Sequence, residues 1–156
     1  MEFSIEMGVP LDEDGFLRRA CPTCGREFKW LHTEIDGDAD SAGDSSGYFC
    51  PYCGVQADVA QWWTGAQSAA IEAAVMDEVI EPEIDSLRRQ VNSVNKESGG
   101  LLSMDIEVDR ESVPPLQEPN DMAKVDFACH PDEPVKIVES WAGPVYCLTC
   151  GVIQGR

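Results

Sequence analysis

Two short phrases, Cys21-Pro22-Thr23-Cys24-Gly25 and Cys50-Pro51-Tyr52-Cys53-Gly54, carry four of the chain's seven cysteines, with 25 residues between Cys24 and Cys50. Two thiols spaced by two residues reach one ion from a single tight turn, and the glycine that follows lets the backbone aim its amides at the sulfurs. Two such turns close a tetrahedron, so Cys21, Cys24, Cys50 and Cys53 form a first expected metal site. The other three cysteines repeat the theme: Cys129, followed by His130, lies 17 intervening residues before Cys147-Leu148-Thr149-Cys150-Gly151. An imidazole can join three thiolates around one ion. Cys129, His130, Cys147 and Cys150 are therefore the second expected site, with Asp132, at the place of a second knuckle cysteine, as the alternative to His130.

Charge narrows the function. The formal net charge is -18 over 156 residues. Zinc held by four thiolates lowers that by two and zinc held by three thiolates and an imidazole by one, so the loaded chain stands near about -21. Such a field repels phosphate backbones and anionic membranes, and favours a protein partner with a basic surface. Acids at Glu2 and Glu6 occupy the place where a secretory signal carries base, and no apolar run approaches membrane-spanning length, which predicts a cytoplasmic chain. In that reducing compartment, CxxC pairs and an odd cysteine count read as metal-bound thiols rather than disulfides.

Patterning divides the chain into four segments. Residues 1–63 form one unit: Phe3, Ile5, Met7 and Val9 alternate as in a strand, a turn follows at Asp12-Glu13-Asp14-Gly15, and strands through Phe16–Ala20 and Arg26–Leu31 flank the first knuckle. Within this unit, residues 34–46 are rich in Asp, Gly and Ser and read as a solvated acidic loop. Its Asp36, Asp38 and Asp40 imitate a calcium loop but lack the glycine and the closing glutamate. Residues 64–98 follow helical spacing from a capping box at Thr64-Gly65-Ala66-Gln67, with Pro82 expected to kink or divide the helix. Residues 99–119 read as a strand through Leu102, Met104, Ile106 and Val108 and then a proline-rich linker. Residues 120–156 hold three more short strands and the last knuckle. The fold class is a small, metal-stabilised α+β protein.

The knuckles with their aromatic flanks resemble zinc ribbons and rubredoxins over residues 16–60. The phrases Gln61-Trp62-Trp63-Thr64 and Cys129-His130-Pro131 extend the likeness: the whole chain resembles uncharacterised bacterial proteins with two zinc-ribbon-like units joined by an acidic helix. That resemblance implies two Zn2+ ions and no particular activity. Three functional expectations follow. The first is a non-catalytic adaptor that binds another protein through its helix or ribbon faces, with a homodimer through the 84-87-91-94 stripe as one form. The second is a nucleic-acid-binding ribbon using Arg18, Arg19, Arg26 and Lys29, the bases beside the first knuckle. The third is a rubredoxin-like carrier with iron in the first site. An enzyme is not expected, because each site has four protein ligands and no nucleophile-histidine or nucleotide motif is present. Trp62, Trp63 and Trp141 are expected to cover metal or fill small cores, and His32 to lie on the surface.

Overall fold

The computed structural model describes residues 8–32 and 47–154. The alternating strand expected at Phe3, Ile5 and Met7 and the acidic loop 34–46 lie outside these residues; Val9 is described and belongs to no strand. The chain forms two compact units, one of Ala66–Pro115 and one that joins Val9–Gly65 to Leu116–Arg156.

The larger unit is built on hairpins that each wrap a knuckle. β1 (Phe16–Ala20) pairs antiparallel with β2 (Glu27–Leu31) around Cys21-Cys24, and β3 (Tyr48–Phe49) pairs with β4 (Gln56–Ala57) around Cys50-Cys53. β5 (Ala123–Val125) and β6 (Val135–Ile137) precede the hairpin of β7 (Val145–Tyr146) and β8 (Ile153–Gln154), which wraps Cys147-Cys150. The decisive pairing is long-range. β2 bonds to β6, giving one four-stranded sheet in the order β1-β2-β6-β5. The consecutive N- and C-terminal segments read from the sequence therefore share a sheet and a core, in which Phe28, Tyr52 and Trp62 pack against Phe127, Val135, Ile137 and Val145. The physical reason is burial: strands of two to five residues cover too little apolar surface alone, and joining the halves covers both.

The two faces of that sheet differ. Phe28 and Trp30 of β2 face the core beside Val135 of β6, and Phe28 meets Trp62 edge to face at 5.7 Å between ring centres. On the opposite face Arg18, Lys29, Lys136 and Lys124 stand next to one another across the four strands. Adjacent like charges destabilise a sheet unless they are neutralised. Acids from two segments do this. Lys29, wholly buried, lies 2.8 Å from Glu118, 3.1 Å from Asp121 and 3.3 Å from Asp12, and also donates to the carbonyl of Pro119. Lys136 reaches Asp12 at 2.8 Å, Asp14 at 2.6 Å and Asn120 at 2.9 Å. Arg18 reaches Asp121 at 2.7 Å, Glu118 at 3.0 Å and Glu27 at 3.1 Å. The end of the proline-rich linker is thus fastened to the sheet by charge.

The smaller unit is helical. α1 (Gly65–Val75) passes through a π-helical turn, Met76–Ile80, into α2 (Glu81–Glu97), where Pro82 occupies the first turn. Proline has no amide, and its ring would strike the carbonyl four residues back. Widening the preceding turn, so that the Glu81 amide bonds back to Met76, admits it; the division expected at Pro82 falls here. Gly99 and Gly100, at φ 60° and 92°, turn the chain after α2. The strand expected through Leu102–Val108 does not form. Instead this segment runs irregularly beside α2, held where Asn95 donates to the Met104 carbonyl at 2.8 Å and accepts from its amide at 3.0 Å, and where Arg88 donates to the Ile106 carbonyl. Among the described residues no strand pairs with its backbone, and a side-chain amide takes that role.

Asp12 is the keystone of the charged face. Burial alone would raise its carboxyl, but the Lys136 ammonium, the Phe16 and Asp14 amides and the Lys29 ammonium outweigh that and hold it at about 2, below its ordinary 3.8. Stability from such a depressed acid is complete above pH 3.8 and is lost as pH falls towards 2, so Asp12 contributes nothing to any acid transition above pH 4. Removing one partner of a buried pair leaves the other charge stranded, which predicts that Asp12→Asn costs about 3–5 kcal/mol at neutral pH. Asp14→Asn, at the exposed rim, should cost far less, because solvent screens its pairing. Urea unfolding of both variants under identical metal conditions checks the ranking.

Candidate metal centres

Three knuckles share one backbone design. The amide of the glycine that closes each, Gly25, Gly54 or Gly151, donates to the carbonyl of the leading cysteine, Cys21, Cys50 or Cys147, at 2.8 to 2.9 Å. The leading cysteine's own amide donates five residues on, to Arg26, Val55 or Val152. All three glycines sit at φ 70° to 71°, the left-handed region that costs an L side chain strain. Amides inside the turns point at sulfur: Thr23 and Cys24 to Cys21 Sγ at 3.3 and 3.4 Å, and Tyr52 to Cys50 Sγ at 3.4 Å.

The first pair of knuckles brings Cys21, Cys24, Cys50 and Cys53 together, every sulfur within 4.8 Å of the others. The shortest cross-pairs are Cys21 to Cys53 at 3.7 Å and Cys24 to Cys50 at 3.8 Å. A tetrahedral ion with sulfurs at about 2.3 Å has S···S edges of about 3.8 Å, which these two cross-pairs match. Burial pushes the Cys50 and Cys53 thiols up; it acts the same way on Cys21, where the amides of Cys24 and Thr23 outweigh it. Close-packed buried sulfurs resist shared ionisation unless a cation sits among them.

The second group is Cys129, His130, Cys147 and Cys150, again within 4.8 Å of one another. His130 Nδ1 lies 3.5 Å from Cys147 Sγ, the edge expected of about 3.5 Å when nitrogen at 2.0–2.1 Å replaces one sulfur. Cys150 Sγ lies 3.5 Å from Cys129 Sγ. Asp132, the alternative fourth ligand, is not in the group. Cys129 and His130 come from the loop between β5 and β6 rather than from a knuckle, and the Glu133 amide bonds back to the His130 carbonyl at 3.1 Å, a turn that lets adjacent residues face one point. Glu133 also accepts from the Thr149 hydroxyl, tying this loop to the third knuckle.

The two groups are back to back. The Phe49 amide, just before the second knuckle, donates to the Leu148 carbonyl just inside the third, at 2.8 Å; the Tyr146 amide, just before the third, donates to Pro51 just inside the second, at 2.9 Å. Rings follow the same exchange. A Cβ on Gly54 would stand 2.8 Å from the Tyr146 ring, and one on Gly151 would stand 2.7 Å from the Phe49 ring. Tyr52, inside the second knuckle, accepts from the Val138 amide at 3.1 Å and donates to the Glu27 carbonyl at 2.8 Å, linking β6 to the first hairpin.

The bases expected to contact nucleic acid are otherwise engaged. Arg18 and Lys29 serve the charged face. Arg19 lies between the Trp30 and Trp63 rings at 4.7 Å from each, and Arg26 lies over Trp141 at 4.9 Å. Arg18 and Lys29 are paired with Asp12, Glu27, Glu118 and Asp121. Asp12, Glu118 and Lys136 were missed, although Phe28-Lys29-Trp30 and Val135-Lys136-Ile137, each a cation between apolar residues in a strand, signalled a sheet covered on both faces. Trp62 is wholly buried in the core and His32 is exposed, both as expected.

Comparison with protein-family models, curated proteins and solved structures found no match. Among the described residues no helix is long and apolar enough to cross a membrane.

The glycines make a graded test. Gly25 has open space where a Cβ would go, so Gly25→Ala should cost only its left-handed backbone, about 1–2 kcal/mol. Gly54→Ala and Gly151→Ala must also displace a ring, adding about 1–3 kcal/mol. Denaturant midpoints under identical metal conditions should rank Gly25→Ala above the other two.

Proposed function

We propose that this chain is a zinc-binding, non-catalytic adaptor that engages another protein. The observation that carries the reading is the completeness of the two ligand sets: four donors from the chain itself at each, spaced as a tetrahedral ion requires. A site filled by four protein ligands leaves no position for water or substrate, and it acts by adding folding free energy, about 10 kcal/mol or more per structural zinc at neutral pH. A unit of short strands needs such support. The residues that would hold the ions are Cys21, Cys24, Cys50 and Cys53 at one site and Cys129, His130, Cys147 and Cys150 at the other.

Two features support a protein partner over nucleic acid. Arg18, Lys29 and Lys136 are spent on the chain's own acids, so the net charge of -18 is not relieved by a free basic face. The helical unit exposes apolar side chains, among them Leu87 at 51% and Leu101 at 90%. A basic amphipathic partner, or a second copy meeting along α2, is the chemistry that this acidic and apolar surface suits. A cytoplasmic setting keeps the thiols reduced.

Native mass spectrometry of protein purified without chelator should find two zinc ions per chain and a colourless solution. A red protein with charge-transfer bands would instead place iron in the four-cysteine site, where the sulfur spacing suits either metal. Fluorescence anisotropy with random duplex DNA should show no binding at physiological salt, where screening acts over about 8 Å. Tight binding that disappears when Arg18, Arg19, Arg26 and Lys29 are all alanine would replace the adaptor reading with a nucleic-acid one.

A further inference from the structure

The two ligand groups differ in one respect that matters chemically. In the first, Cys21 approaches Cys53 at 3.7 Å and Cys24 approaches Cys50 at 3.8 Å, and each pair contains a buried member: Cys21 is 3% exposed and Cys50 is wholly buried. In the second, Cys129 and Cys150 stand 3.5 Å apart and both residues are exposed, while Cys147 is wholly buried. Peroxides attack thiolates that they can reach, and a sulfenic acid condenses with the nearest second thiolate. The first site offers no such pair. The second site offers one.

We propose that Cys129 and Cys150 are an oxidation site, a peroxide-sensitive thiolate pair whose disulfide discharges the second metal centre while the first persists. This rests on the reading of both groups as zinc sites. The Cys150 or Cys129 thiolate attacks one oxygen of hydrogen peroxide; the O–O bond breaks, the sulfur becomes a sulfenic acid and hydroxide leaves. The other thiolate then attacks that sulfur, the S–S bond forms, the S–O bond breaks and a second hydroxide leaves. Two thiolates have lost two electrons, peroxide has gained them, and two protons from solvent turn the hydroxides into water. Only Cys147 and His130 then remain as donors, too few for a structural zinc.

Local structure permits the change. Cys129 lies in the strand-free loop between β5 and β6, so its sulfur can close on Cys150 without breaking a ladder. Cys150 closes a knuckle whose other cysteine, Cys147, keeps its amide bond to Val152 at 2.9 Å. Glu133 and His130 also link the loop to that knuckle, through Thr149 and Cys147. Oxidation therefore removes the second ion while the disulfide keeps the 126–134 loop tied to the third knuckle, and the first site, enclosed by two complete knuckles, keeps its ion.

The test uses the full-length zinc-loaded protein and hydrogen peroxide. Zinc release is followed with a colorimetric chelator, ion count by native mass spectrometry, and cysteine pairing by peptide mapping after alkylation. One ion per chain should leave at least about tenfold faster than the other, with loss of two hydrogens and a Cys129–Cys150 disulfide. Thiol reductant with added zinc should restore the second ion. Release of both ions at one rate, release of neither, or a first disulfide that involves Cys147 or any of Cys21, Cys24, Cys50 and Cys53 would overturn the oxidation site and leave the zinc reading standing. Fewer than two ions before peroxide is added would overturn both.

Discussion

The contact between the second and third knuckles is the constraint on which the larger unit turns. Two backbone bonds, from Phe49 to Leu148 and from Tyr146 to Pro51, and two glycines that each accept the other hairpin's aromatic ring, set one ligand group directly behind the other. Hairpins of two residues a side are too short to hold a register alone. Here register is set by the knuckle that each encloses, and position by the neighbouring knuckle. The first knuckle joins this pair through the shared ligand group, and β2 extends the arrangement into the sheet by pairing with β6.

Charge completes what the small core cannot. Arg18, Lys29 and Lys136 in adjacent strands would repel one another, and the acids that neutralise them come from the Asp12 turn and from the Glu118–Asp121 stretch, more than 100 residues later in the case of Arg18. The same interactions close the sheet's outer face and fasten the returning chain after the helical unit. A face neutralised from within has little charge left for phosphate, which supports the proposed protein partner over nucleic acid.

Local chemistry was legible in the sequence and long-range pairing was not. CxxCG spacing pointed to the cysteines that the structure gathers because a chelating turn is written within five residues, and the hairpin around the first knuckle and the strand before the third followed from the flanking residues. The interruption at Pro82 was legible because proline's missing amide acts within one turn. The pairing of β2 with β6 joins residues about a hundred positions apart, and no local pattern records which strand a strand will meet. Leu102–Val108 shows the converse error: its alternation is that of a strand, yet Asn95 of α2 binds its backbone instead. Lys29 and Lys136 were misread because a lysine is normally solvated, and only the acids brought by tertiary structure make its burial affordable.

The account stands on thiolate-rich coordination at both groups, and X-ray absorption at the metal edge of the purified protein measures that directly. Over two ions per chain, the first shell should contain seven sulfurs and one imidazole nitrogen, from the residues of the two groups. Sulfur distances should be about 2.3 Å and the nitrogen distance about 2.0–2.1 Å. A shell dominated by oxygen and nitrogen, or a protein that folds with no metal signal at all, would contradict it.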